Sequence, residues 1–157
     1  MKSLVVYYSR TGNARFVAET IAAEIGADVE EVVDMKKRSG PLGYLNGGSD
    51  ARRGKETEIA PTTKSLSNYD IIIVGTPVWA GRPSPAVLTY LKKNDLSGKK
   101  VAIFFTQGGK KPSAIEETKA LMSKSNIVGH LSLVNPITTK EESEKLIISW
   151  CKTLMGN

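Results

Sequence analysis

Ser3-Leu4-Val5-Val6-Tyr7-Tyr8-Ser9-Arg10-Thr11-Gly12-Asn13-Ala14 is the stretch on which the fold turns. Its first six residues form an almost unbroken apolar run, as expected of a strand buried on both faces. Ser9 to Gly12 are turn residues. Beyond them Ala14, Val17, Ala18, Ile21, Ala22 and Ile25 recur at helical spacing, and Gly26 stands where a helix stop belongs. A buried strand, a tight turn and an amphipathic helix make the first half of a βαβ unit. The turn itself has two readings. Free N–H groups and the dipole at a helix amino terminus attract anions, and Gly12 lets the backbone turn closely around one. Ser, Thr and Asn are equally ordinary helix caps. Neither a Walker loop nor the spaced-glycine dinucleotide fingerprint is present.

Working outward, the alternation continues. Residues 27–33 read as a second strand, 70–76 as a third, 100–105 as a fourth and 130–134 as a fifth. Val87, Leu88 and Leu91 mark a helix after the third strand, and Ile115, Thr118, Leu121 and Met122 another after the fourth. Leu146, Ile147, Trp150 and Leu154 mark the last, with Thr139 and Glu142 as its expected capping box. Strands one, three and four are nearly continuous apolar runs and belong in the middle of a sheet. Strands two and five carry Glu30, Glu31 and Ser132, as edges do. These positions fit an α/β fold: a doubly wound, five-stranded parallel sheet in the order 2-1-3-4-5, as one domain. The polar, Gly-rich segment 34–68 is expected to hold a short helix and an ordered loop.

Composition narrows the function classes. The chain has 157 residues, 40% hydrophobic and 24% charged, with a net charge of +6. No apolar run approaches the length of a membrane span, and the first one ends at Tyr8, too short for a secretory signal. The single Cys151 cannot form an internal disulfide, so a reducing, cytoplasmic setting is expected, with the thiol packed in the core. One His and one Cys argue against a zinc site, and no metal is expected. His130, on an edge strand, is read as structural or solvated. The Lys and Arg residues are dispersed without interleaved aromatics, so the basic charge is read as a solvated or acid-attracting surface rather than a nucleic-acid site.

In this architecture ligands sit outside the carboxyl ends of the strands, next to the switch in strand order. Three loops emerge there: Ser9-Arg10-Thr11-Gly12-Asn13 with Ala14, Thr76-Pro77-Val78-Trp79-Ala80-Gly81, and Thr106-Gln107-Gly108-Gly109. They offer an anion cup, an aromatic ring able to stack on a flat ligand, and close backbone approach through paired glycines. Together these motifs resemble the flavodoxin family over nearly the whole chain. The first loop looks like that family's phosphate loop for flavin mononucleotide (FMN), and the other two look like its flavin-flanking loops. The resemblance implies non-covalent FMN held by the residues of the three loops. It also implies an electron carrier that serves redox partner proteins as a monomer and needs no catalytic side chain. The alternative it implies is an FMN-dependent NAD(P)H:quinone-type oxidoreductase, commonly oligomeric.

The chain departs from the family pattern in three ways. Ala14 stands where a further hydroxyl residue is common, so a phosphate contact is missing or replaced by Arg10. No Tyr lies between Thr106 and Ser113, which leaves the outer flavin face open or covered by Tyr44. The chain is basic, and Arg10, Arg82, Lys110 and Lys111 near the expected loops should raise the flavin potential. Response regulators share the strand order but need acidic residues where Tyr8-Ser9 and Thr76-Pro77 stand. Low-molecular-weight phosphatases need a Cys that the first loop lacks.

Overall fold

Alternate residues of the first strand, β1 (Ser3–Tyr7), leave the sheet on opposite faces and found two separate cores. Leu4 and Val6 join one cluster, Val5 and Tyr7 the other, and all four are buried. The computed structural model describes residues 1–109 and 114–156. After β1 come α1 (Asn13–Ile25), β2 (Asp28–Glu31), α2 (Gly40–Arg52), β3 (Ile71–Trp79) and β4 (Arg82–Pro83). Then follow α3 (Pro85–Lys93), β5 (Lys100–Gln107), α4 (Ile115–Leu121), β6 (Asn126–Val134) and α5 (Lys140–Met155).

The five long strands are parallel and run in the order β2-β1-β3-β5-β6, which is the expected 2-1-3-4-5 order. Helices α1 and α5 cover one face, packing Val17, Ile21, Ile147 and Cys151 on Val5, Ile73 and Phe104. On the other face α3 packs Val87, Tyr90 and Leu91 on Leu4, Ile72 and Phe105. The central strands are apolar on both sides because both sides are covered. At the β2 edge Glu30 is buried, and its carboxylate accepts from the Thr63 and Lys64 N–H groups at 2.9 and 2.7 Å. His130 is exposed on the opposite edge, β6. Among the described residues no helix is long and apolar enough to cross a membrane.

Three expectations need correction. The third strand does not stop at residue 76. It continues to Trp79 and folds back as a two-residue hairpin onto β4, pairing Val78 with Pro83 and Trp79 with Arg82. Ala80 and Gly81 both have positive φ, 48° and 75°, the conformation that such a turn requires. An Ala in that place hides the turn from a reading based on Gly and Asn. The capping box of the last helix is also absent. The Thr139 hydroxyl lies 3.1 Å from Ser143 Oγ and makes no cap bond to the helix N–H groups. The fifth strand starts at Asn126 rather than at residue 130, because an edge strand with alternating exposure lacks the apolar run that marks the central ones.

Burial, and secondarily Glu24, pushes the Cys151 thiol up to about 11. At pH 8 the native protein should therefore consume no aromatic disulfide reagent. Thiol release should appear only in step with unfolding in denaturant, followed by circular dichroism on the same samples.

Candidate functional site

The parallel arrangement brings the carboxyl ends of β1, β3 and β5 to one edge, and a cleft of about 1020 Å³ opens there. Its floor on the β1 side is the turn into α1. Gly12 adopts φ 96°, a conformation open to glycine, and its N–H donates to Ser9 Oγ at 3.1 Å. Among the described residues no side chain caps α1, and free first-turn N–H groups of this kind can serve a ligand. Asn13 ties this turn to the chain ahead of α5, accepting from the Ile137 N–H at 3.2 Å and donating to Thr11 Oγ1 at 3.2 Å. Ser9, Arg10, Thr11, Asn13 and Ala14 all line the cleft.

The hairpin after β3 forms a second wall through Pro77, Val78, Trp79 and Ala80. Trp79 is half-buried. Its ring meets Tyr8 edge-on, with centroids 5.6 Å apart and planes at 87°. Trp79 also packs against the apolar cluster beneath α3, so part of its ring belongs to the core. The third wall, from β5, supplies Thr106, Gln107 and Gly108. Gln107 Oε1 is buried there with no hydrogen-bond partner among the described residues, while its backbone carbonyl accepts from the Asn135 N–H at 2.9 Å. Asn135 has φ 44° and lines the cleft too.

Gly12, Thr76, Gly81 and Gly109 do not line the cleft. Gly12 and Gly81 shape the two turns instead. Thr76 is fully buried, and its hydroxyl accepts from the Ser84 N–H at 3.0 Å, joining β3 to the start of α3. The expected charges are also redistributed. Arg10 donates to the carbonyls of Arg38 and Gly40 at 2.8 and 3.1 Å, so its guanidinium is engaged on main chain. Arg82 lies off the cleft and pairs with Glu117 at 3.5 Å. Lys110 and Lys111 lie outside the described residues.

The segment that sequence reasoning left open supplies the outer wall. Tyr44, Leu45, Gly48, Ser49 and Arg52 of α2, with Arg53 after it, face the three loops across the cleft. This helix has no apolar stripe. It buries only Gly43, Gly47 and Ala51. A Cβ on Gly47 would meet the Trp79 ring at 2.9 Å, so the missing side chain sets how closely α2 approaches. Arg38 supplies the rest of the hold. Its buried guanidinium donates to Asp34 at 2.9 Å and Asp50 at 2.7 Å, and lies 5.9 Å from the Trp79 ring centroid. Asp34 also accepts from Thr57 Oγ1 at 2.8 Å, and Lys36 reaches Asp50 at 2.6 Å. Tyr44, named from the sequence as a possible cover for the flavin face, does line this wall, and the four-residue spacing of Gly43, Gly47 and Ala51 behind Ser39-Gly40-Pro41 is a further sequence signal for it.

A family model described as flavodoxin matches residues 2–152. The chain belongs to the flavodoxin family. It is 36% identical over 92 residues, 57% of its length, to a protein of Cupriavidus metallidurans named NAD(P)H dehydrogenase (quinone). It is 32% identical over 149 residues, 85% of its length, to NAD(P)H dehydrogenase (quinone) 3 of Rhizobium meliloti. The chain spans only 45% and 64% of the lengths of these two relatives. Among solved structures it resembles a flavoprotein of Lactobacillus acidophilus in complex with FMN. That likeness has 25% identity and a TM-score of 0.74, and covers 89% of this chain and 97% of the other. In this flavodoxin-family member, α2 therefore closes a cleft whose other walls come from the three loops already legible in sequence.

Burial alone would raise the Asp50 carboxyl, but hydrogen bonds from Lys36 and Arg38 outweigh it and hold the group below its usual range. A lowered folded pKa stabilises the fold above the unfolded value of about 3.9, and that contribution is lost as pH falls through the folded value. In a Trp150→Phe background, Trp79 emission should stay constant down to about pH 4 and shift below it. Asp50→Asn should shift the emission already at pH 7 and cost about 3 kcal/mol in urea unfolding.

Proposed function

We propose that the cleft holds FMN and that the chain is an FMN-dependent oxidoreductase with room for a second ligand beside the flavin. The observation that carries the cofactor reading is the coincidence of three unfilled features in one cleft. Among the described residues, these are a helix amino terminus with no side-chain cap, a half-buried Trp and a buried acceptor without a partner. Each matches one part of FMN. The first turn of α1, with Ser9, Thr11 and Asn13, suits the phosphate, since anions bind at helix amino termini through free N–H groups and the dipole. Trp79 suits the flat ring, and Gln107 Oε1 suits a ring N–H. The complex of the Lactobacillus acidophilus flavoprotein with FMN supports the same reading.

Bound FMN supplies reversible one- or two-electron transfer. What the protein contributes is position. Tyr8 presents its ring edge to Trp79, and its hydroxyl, pushed up to about 12 by burial and then by Asp34, stays neutral. Arg38 and Gly47 hold Trp79 from the α2 side. The relatives named NAD(P)H dehydrogenase (quinone), and the space left between the loops and α2, support the oxidoreductase reading.

The exposed Leu42, Tyr44 and Leu45 on α2 favour the second reading. An apolar patch at the mouth of a cofactor cleft suits a monomeric carrier that docks redox partner proteins. The buried, unpaired Cys151 suits a reducing compartment such as the cytoplasm in either case.

Apo-protein titrated with FMN and with riboflavin should prefer FMN by about 3 kcal/mol, roughly a hundredfold. Equal affinities would remove the phosphate assignment. Trp79→Ala should weaken FMN by about 1–3 kcal/mol and abolish most of the fluorescence quenching that accompanies binding. Anaerobic mixing of the loaded protein with NADH and NADPH separates the two functional readings. Rapid bleaching of the flavin is expected of the oxidoreductase, and no bleaching without a partner protein is expected of the carrier.

A further inference from the structure

Among the described residues that line the cleft, the charged ones are all cations: Arg10, Arg52 and Arg53. No Asp or Glu stands among the described residues that line it, although the chain has 16 of them. Beside the cleft, Lys36 and Arg38 are paired with Asp50, and Arg82 with Glu117. Arg10, inside the cleft, is engaged by the carbonyls of Arg38 and Gly40. Arg52 and Arg53 line the cleft and have no ion-pair partner among the described residues. The carboxyl end of a helix favours cations in general, which explains the residue type but not two free guanidinium groups on a cleft wall.

These arginines stand apart from the anion cup at α1. Helix α2 crosses the cleft. At its first turns Tyr44 stacks with Arg10 of the phosphate loop, 5.5 Å from guanidinium carbon to ring centroid. At its far end a Cβ on Gly54 would meet Arg82 Nη1 at 2.9 Å, so Arg52 and Arg53 lie beside the β3–β4 hairpin that carries Trp79. Tyr44 and Leu45 remain 66% and 64% exposed although they wall a cleft. A volume of about 1020 Å³ also stands at the top of the ~300–1,000 Å³ range for pockets that hold one drug-sized ligand.

We propose that the α2 wall is a second binding site, in which Arg52 and Arg53 take the anionic group of a flat aromatic ligand whose ring enters the cleft against Tyr44 and Leu45. The proposal rests on the reading of the remaining walls as the FMN site. Guanidinium groups match sulfonate, carboxylate and phosphate oxygens in paired hydrogen bonds, so the shared chemistry is an acidic group on an aromatic body.

The test uses the oxidised, FMN-loaded protein and needs no turnover. Calorimetric titrations compare 1,4-naphthoquinone-2-sulfonate with 1,4-naphthoquinone, and NADP+ with NAD+, at low and high salt. In at least one pair the more acidic member should bind about tenfold tighter, and the preference should vanish in Arg52→Gln/Arg53→Gln and shrink with salt. A preference confined to the first pair assigns the site to acidic quinones, and one confined to the second to a nucleotide phosphate. No preference in either pair, or a preference that survives the double substitution, overturns the proposal. So does a double variant that no longer prefers FMN to riboflavin, because the arginines then belong to the cofactor phosphate. A wild-type protein that takes up no FMN overturns the cofactor reading and the proposal with it, and that failure shows at loading, before any titration.

Discussion

The Arg38 guanidinium, enclosed by Asp34, Asp50 and the Trp79 ring, joins parts of the chain that apolar burial would not bring together. Helix α2 offers the core almost nothing, since its buried positions are Gly43, Gly47 and Ala51. Burying so little apolar area yields little hydrophobic stabilisation. Charge pairing and close approach locate this helix instead. A buried ion pair adds modest net stability over an apolar equivalent, yet removing one partner is costly. Such a pair selects one arrangement over others. Here it fixes α2 over Trp79, and the edge contact between Trp79 and Tyr8 carries that constraint to the end of β1.

The opposite walls of the cleft have another physical origin. They are the ends of strands whose positions follow from burial on both faces of a parallel sheet. The free N–H groups at α1 arise because a helix must begin where β1 stops and Gly12 has no side chain with which to cap it. The two halves of the site thus rest on different forces, apolar packing on the sheet side and paired charges on the α2 side. Net charge says little about the cleft. Its local sign depends on which cations find carboxylates: Arg15 meets Glu31 at 2.7 Å and Lys36 meets Asp50, whereas Arg52 and Arg53 remain free among the described residues.

Much of this was legible in residues alone, where a strong period was present. The apolar runs of β1, β3 and β5 marked the central strands, Glu30 and Ser132 marked the edges, and the three loops followed from the order of the strands. Other features lacked a local signal. The hairpin at Ala80-Gly81 uses a left-handed Ala, Thr76 looks like a ligand residue but braces α3, and Arg82 sits in a binding-loop sequence yet pairs with Glu117. Asn135 joins the site only because its N–H bonds to Gln107 across the β5–β6 pair.

The sequence by itself determined the sheet, its order and the edge on which a ligand would sit, because hydrophobic periodicity is a local property that burial converts directly into strands and helices. Only the tertiary structure decided the outer wall of the cleft. Gly43 and Gly47 act through the absence of side chains, and Arg38 acts through Asp50, twelve residues away, and the ring of Trp79, forty-one residues away. Interactions that depend on a partner distant in the chain leave no period behind, so the place of α2 over the cleft became visible only when the chain was folded.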